Sequence, residues 1–74
     1  MEDAIRDKLK KILMQELNLA EVKDNACQDD YGAWDSLAYM SIVARVEDEF
    51  HIEATHENIE KFNSVDNLIS IITE

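Results

Sequence analysis

The 74-residue chain is 46% apolar and 32% charged, enough apolar side chain for one small core and outside the composition of disordered chains. A single domain over residues 1–74 is expected, burying little more than about 60% of the surface its unfolded chain exposes. Seventeen Asp and Glu against seven Lys and Arg give a formal charge of −10, which repels phosphate backbones and anionic headgroups and so argues against nucleic acid and anionic membranes as partners.

Ile5, Leu9, Ile12, Leu13 and Leu17 fall at i, i+4, i+7, i+8 and i+12, one stripe of a helix. The spacing predicts a first helix over residues 3–17 with Asp3 as its N-cap. Residues 18–34 show no sustained periodicity and hold Asp24, Asn25, Asp29, Asp30 and the only glycine, Gly32, all residues that favour turns. A loop this long is uncommon in a compact domain and is often functional; Leu19 and Val22 are expected to pin it to the core.

From Ser36 to Phe50 the period is helical again, with Asp35 or Ser36 as cap. Thr55 can cap a short third helix over residues 56–61, with Ile59 and Phe62 turned inward. Ser64 can cap a last helix in which Val65, Leu68, Ile69 and Ile72 repeat at i, i+3, i+4 and i+7. With no proline and no alternating strand pattern, the expected architecture is an all-α four-helix bundle, although Phe50-His51-Ile52-Glu53 can be read as extended.

The second helix carries two apolar faces. Tyr39, Ile42, Val43, Val46 and Phe50 share one sector, the expected core face. Leu37, Met40 and Ala44 form a separate stripe on the other side, with Glu47 and Asp48 at its edges. Two explanations stand: the stripe packs on the long loop or the third helix, or it is a docking surface whose acidic rim is read by basic partners. The acidic surface as a whole is equally open to a plain reading as a solubility device.

Ser36 stands where loop becomes helix, and its hydroxyl at an exposed helix start is better suited to accept a covalent group than to perform chemistry. No catalytic constellation surrounds it. His51 and His56 are the only histidines and neither belongs to a hydrolytic triad; His51 follows the second helix, where it favours the negative end of the dipole. Cys27 is the only cysteine, which excludes an internal disulfide and a multi-thiolate metal site, and its acidic loop is no setting to activate a nucleophile. A calcium loop also fails, because aligning Gly32 with the obligatory glycine puts Cys27 and Tyr31 at ligand positions. A reducing, cytoplasmic compartment fits the lone cysteine. Asp3, Arg6, Asp7, Lys8, Lys10, Lys11 and Glu16 interrupt the opening segment, so neither signal peptide nor membrane span is expected.

Asp35-Ser36-Leu37, the apolar helix closing in Val46-Glu47-Asp48-Glu49-Phe50, His51-Ile52-Glu53, and the final helix entered by Asn63-Ser64-Val65-Asp66-Asn67-Leu68 together resemble the acyl carrier proteins. The resemblance spans nearly the whole chain and implies that family's four-helix fold, with a long first connection and a short third helix. It implies a 4′-phosphopantetheine group on Ser36, installed from coenzyme A by a phosphopantetheinyl transferase, whose terminal thiol holds acyl or aminoacyl groups as thioesters. The implied protein is a non-catalytic, monomeric carrier, without metal, that docks on acyl- or aminoacyl-activating enzymes and synthases bearing basic patches. Asp35, Leu37, Met40, Ala44 and Glu47 match the family's partner-contact positions.

Three departures stand out. Ala38 and Ser41 replace acids usual in the fatty acid members, Ala44 stands where a larger apolar residue is common, and Ala54-Thr55 stands where a proline is often found. Trp34 looks more like carriers of specialised pathways, or else is a packing residue closing the loop onto the bundle. Two other functions remain beside a general acyl carrier. One is an acidic interaction domain that is never modified; the other is an aminoacyl carrier, such as a D-alanyl carrier, for cell-wall or natural-product assembly.

Overall fold

The computed structural model describes residues 2–74, and all its regular structure is helical: α1 (Glu2–Leu17), α2 (Ser36–Phe50) and α3 (Val65–Thr73), with single 3-10 turns at Gln28–Asp30 and Ile59–Lys61. α1 packs against both α2 and α3. Leu9, Ile12, Leu13 and Leu17 of α1, Ile42, Val43 and Val46 of α2, and Val65, Leu68, Ile69 and Ile71 of α3 are buried together. At about 1.5–3 kcal/mol for each fully buried large aliphatic or aromatic side chain, this shared core is the main force holding the three helices.

α1 begins at Glu2, so Asp3 lies inside the first turn rather than at the cap. Its carboxylate and that of Glu2 still face the positive end of the helix dipole. α1 and α2 end alike. Asn18 (φ 55°) and His51 (φ 55°) take the left-handed conformation, and the following amides fold back, Leu19 N–H to Met14 O at 2.9 Å and Ile52 N–H to Glu47 O at 3.2 Å. Both contacts satisfy carbonyls that a helix end leaves open.

The short third helix expected over residues 56–61 is not a helix of regular length, so the described residues form three α-helices rather than four. Thr55 and Asn58 cap each other, Asn58 N–H donating to Thr55 Oγ1 at 3.2 Å and Thr55 N–H to Asn58 Oδ1 at 2.6 Å. One α-type bond follows, Ile59 N–H to Thr55 O at 2.8 Å, and then 3-10 bonds from Lys61 to Asn58 and from Phe62 to Ile59. Six residues form too few hydrogen bonds to offset the cost of nucleation, so tertiary contacts hold this segment. Phe62 is fully buried, Ile59 packs half-buried against the core, and the Tyr39 hydroxyl donates to Ile59 O.

The 18–34 connection is tied down at more points than the sequence indicates. Val22 is buried and Leu19 half-buried, as expected, but Ala26 and Trp34 are buried as well. Trp34 is therefore a packing residue, 2% exposed. A short antiparallel bridge joins Cys27 to Ser64, flanked by Gln28 N–H to Asn63 O at 2.8 Å and Val65 N–H to Ala26 O at 2.9 Å. Arg6 adds bonds to Asp24 O and Asp66, and Lys10 a bond to Asp24. In α3, Ile71 is buried and Ile72 only half-buried; both flank Leu68 at helical spacing, and the sequence period alone does not rank them.

Candidate functional site

The start of α2 is the chemically distinctive point of the surface. Asp35 is its N-cap, in extended conformation (φ −93°, ψ −170°), and its Oδ1 accepts from Ala38 N–H at 3.0 Å. The choice between Asp35 and Ser36 as cap is thus settled, and Ser36 becomes the first helical residue. Its side chain is exposed and makes no hydrogen bond among the described residues.

The other hydroxyls near helical turns are differently placed. Ser64 is buried and spends its oxygen capping Asn67 N–H at 3.1 Å. Thr55 Oγ1 accepts from Asn58 N–H, and Thr73 Oγ1 donates to Ile69 O at 2.8 Å. Ser41 and Ser70 are exposed but lie within helices, away from any N-terminus. Ser36 therefore combines an exposed, unengaged hydroxyl with a helix N-terminus because its neighbour supplies the cap.

Around Ser36 the first-turn N–H groups of Ser36 and Leu37 have no intrahelical acceptor, and the helix dipole adds positive potential. Two surface clefts, one lined by Cys27, Gln28, Asp29, Asn63, Ser64 and Asn67 and the other by Glu53, Ala54, Thr55, His56 and Ile59, do not include Ser36. Among the described residues no cluster of His, Cys, Asp or Glu is arranged to hold a metal ion.

The second apolar stripe faces outward. Leu37 is 83% exposed and Met40 56% exposed, so neither packs on the loop or on the 56–62 segment; Ala44 is exposed too. Ile42, Val43 and Val46 are buried on the opposite face, flanked by half-buried Tyr39 and Phe50. Ala38 is half-buried against the core and Ser41 exposed. Glu47 is half-buried, and its Oε2 accepts from Ala54 N–H at 2.8 Å. Its carboxylate thus closes the turn after α2, a task invisible in the sequence because the donor lies beyond the helix. Trp34 anchors the approach to the site: its indole is in the core with Nε1 unpartnered among the described residues, and its carbonyl accepts from Gln28 Nε2 at 3.0 Å. Sequence reading singled out neither Gln28 nor this link.

The family described as "Phosphopantetheine attachment site" matches residues 4–72. The acyl carrier protein of Buchnera aphidicola subsp. Acyrthosiphon pisum (strain Tuc7) is 37% identical over 71 residues, covering 92% of this chain and 88% of its own length. That of Buchnera aphidicola subsp. Baizongia pistaciae (strain Bp) is 38% identical over 71 residues, covering 92% and 90%. No solved structure gives a significant match. The chain therefore belongs to the acyl carrier protein family, whose domain bears a covalently attached 4′-phosphopantetheine group.

Proposed function

We propose that Ser36 bears the 4′-phosphopantetheine group and that the chain is a carrier without catalysis of its own, acting as one domain in the cytoplasm. The observation that carries this is the division of labour at the start of α2: Asp35 caps the helix, and the Ser36 hydroxyl is left exposed and unengaged. The residues present fit a phosphodiester there, since the free N–H groups of the first turn and the positive dipole end favour an anion.

In the loading reaction the Ser36 Oγ attacks the coenzyme A phosphorus that bears pantetheine. The Oγ–P bond forms, the pyrophosphate P–O bond breaks, the nucleotide bisphosphate leaves, and the hydroxyl proton passes to a base of the transferase. When bound, the group supplies a terminal thiol that holds acyl groups as thioesters. This chain's own part is to present the serine on a rigid helix start and to offer a docking surface to the enzymes it visits.

Leu37, Met40 and Ala44 supply the apolar stripe of that surface, and Asp35 and Glu47 lie beside it. A formal charge of −10 draws in partners with basic patches, the phosphopantetheinyl transferase and acyl-activating enzymes among them. Acyl cargo is favoured over aminoacyl cargo by the relatives, each named an acyl carrier protein. The family assignment removes the ground for an interaction domain that is never modified.

Incubation with coenzyme A and a broad-specificity transferase, followed by intact mass measurement, tests the proposal. Wild type gains the mass of one phosphopantetheine group and Ser36→Ala gains none. An unchanged mass in wild type, or a gain that persists in Ser36→Ala, would overturn it.

A further inference from the structure

We propose that Gln28 is a positioning residue for the Ser36 turn, holding the chain that enters α2 in the orientation the transferase needs. The inference rests on Ser36 being the attachment point. Trp34 O lies one residue ahead of the N-cap, outside the α2 hydrogen-bond ladder, so its partner must come from elsewhere. Gln28 Nε2 provides it at 3.0 Å in a partly buried setting. The same residue's backbone N–H is fixed to Asn63 O at 2.8 Å, beside the bridge between Cys27 and Ser64. One residue thus connects the entrance of α3, through its backbone, to the carbonyl two residues before Ser36, through its side chain.

The two bonds divide the work. The backbone bond holds the loop to α3 whatever the side chain, while the amide donor alone fixes the Trp34 carbonyl. With the Trp34 indole buried and Asp35 Oδ1 fixed on Ala38 N–H, the Gln28 amide completes the restraint on the strand of chain leading into Ser36. Its loss leaves a carbonyl without a protein donor and lets the Trp34–Asp35 peptide plane tilt about its flanking φ and ψ angles, so fewer molecules present Ser36 in the docked geometry.

Gln28→Met tests this, since it keeps most of the side chain's length and volume and the backbone bond but removes the donor. Gln28→Asn, which keeps the amide and shortens the reach, is the second variant. Both are expected to lower kcat/KM of the carrier in phosphopantetheine transfer about three- to tenfold, the size of effect one net hydrogen bond has on a local equilibrium. The KM for coenzyme A stays unchanged. Amide hydrogen exchange at Ala38 and Tyr39, whose N–H groups are bonded to Asp35, accelerates in both variants, while that of Leu9, Ile12 and Leu13 in α1 does not.

Transfer and exchange at wild-type values in both variants would overturn the role of Gln28 while leaving Ser36 as attachment point. Acceleration at α1 as well, with a matching fall in melting temperature, would also overturn it, by showing a general structural role. If wild type itself gains no mass, the attachment proposal falls, and the exchange pattern alone then decides whether Gln28 orders this turn.

Discussion

Removing the Asp35 cap tests the link between fold and site. In Asp35→Ala the Ala38 N–H loses its 3.0 Å acceptor and the first turn of α2 loses a carboxylate at the positive end of its dipole. Replacement of an N-cap carboxylate by alanine costs about 1 kcal/mol, within about 0.5–2. A 74-residue chain has about 4–11 kcal/mol in total, at about 0.05–0.15 per residue. The loss is therefore a visible fraction of stability and corresponds to a melting temperature about 4–8 °C lower. Asp35→Asn keeps the acceptor and loses the charge. The dipole contribution forgone is about 0.3–1 kcal/mol, partly offset by relief of repulsion in a chain of charge −10.

Asparagine should thus melt within a few degrees of wild type and alanine well below it. Thermal denaturation followed by circular dichroism gives both values. Equal melting of wild type and Asp35→Ala, or equal destabilisation by alanine and asparagine, would refute the capping assignment. Transfer rates separate the second role proposed for this residue: if Asp35→Asn restores melting but not phosphopantetheine loading, the carboxylate itself is read by the transferase.

His51→Gly is expected to raise the melting temperature by a few degrees, because relief of the left-handed φ of 55°, worth about 1–2 kcal/mol, exceeds the about 0.4–1 kcal/mol of added unfolded-state entropy; a lower melting temperature would contradict this. Tyr39→Phe should cost about 0.5–1.5 kcal/mol, one net hydrogen bond, since the Ile59 carbonyl keeps its bond from Phe62 N–H, with faster amide exchange at residues 59–62 as the readout. Burial raises the Tyr39 phenol above its ordinary value, so the stability it contributes is present at neutral pH and lost as pH rises past about 10; Tyr39→Phe should flatten that alkaline decline. Added salt should raise the melting temperature by screening the repulsion behind a charge of −10. Asp24 and Asp30 are held below the usual carboxylate range by hydrogen bonds from Lys10 and Lys23, so these pairs contribute above about pH 4 and their contribution fades below it. A melting temperature independent of salt would contradict the repulsion argument.

What was legible in the sequence was local. The start of α2 with Asp35 or Ser36 as its cap, the core faces of α1 and α2, and the place of Ser36 where loop becomes helix follow from side-chain chemistry within a few residues of each element. The departures turn on contacts that the helical period does not encode, some local and some between distant parts of the chain. The short helix expected over residues 56–61 is reduced to a capped 3-10 turn, Thr55 and Asn58 bonding each other, because so few residues do not offset the nucleation cost, and Phe62, Ile59 and Tyr39 hold the segment. Ala26 and Trp34 are buried because the 18–34 connection is bridged to the start of α3, a pairing no periodicity encodes. Glu47 resembled one more rim acid until its bond to Ala54 N–H was visible. Leu37 and Met40 were ambiguous for the opposite reason: their exposure depends on what does not pack on them.

The most direct test of Ser36 as the tether is to locate the added mass. After loading from coenzyme A, proteolysis and fragmentation of the peptide that contains Trp34–Leu37 should place one phosphopantetheine group on the Ser36 oxygen, with Ser41, Thr55, Ser64, Ser70 and Thr73 unmodified. Stoichiometric modification of any of those other hydroxyls, with Ser36 unchanged, would contradict the division of labour between Asp35 and Ser36 proposed for the start of α2.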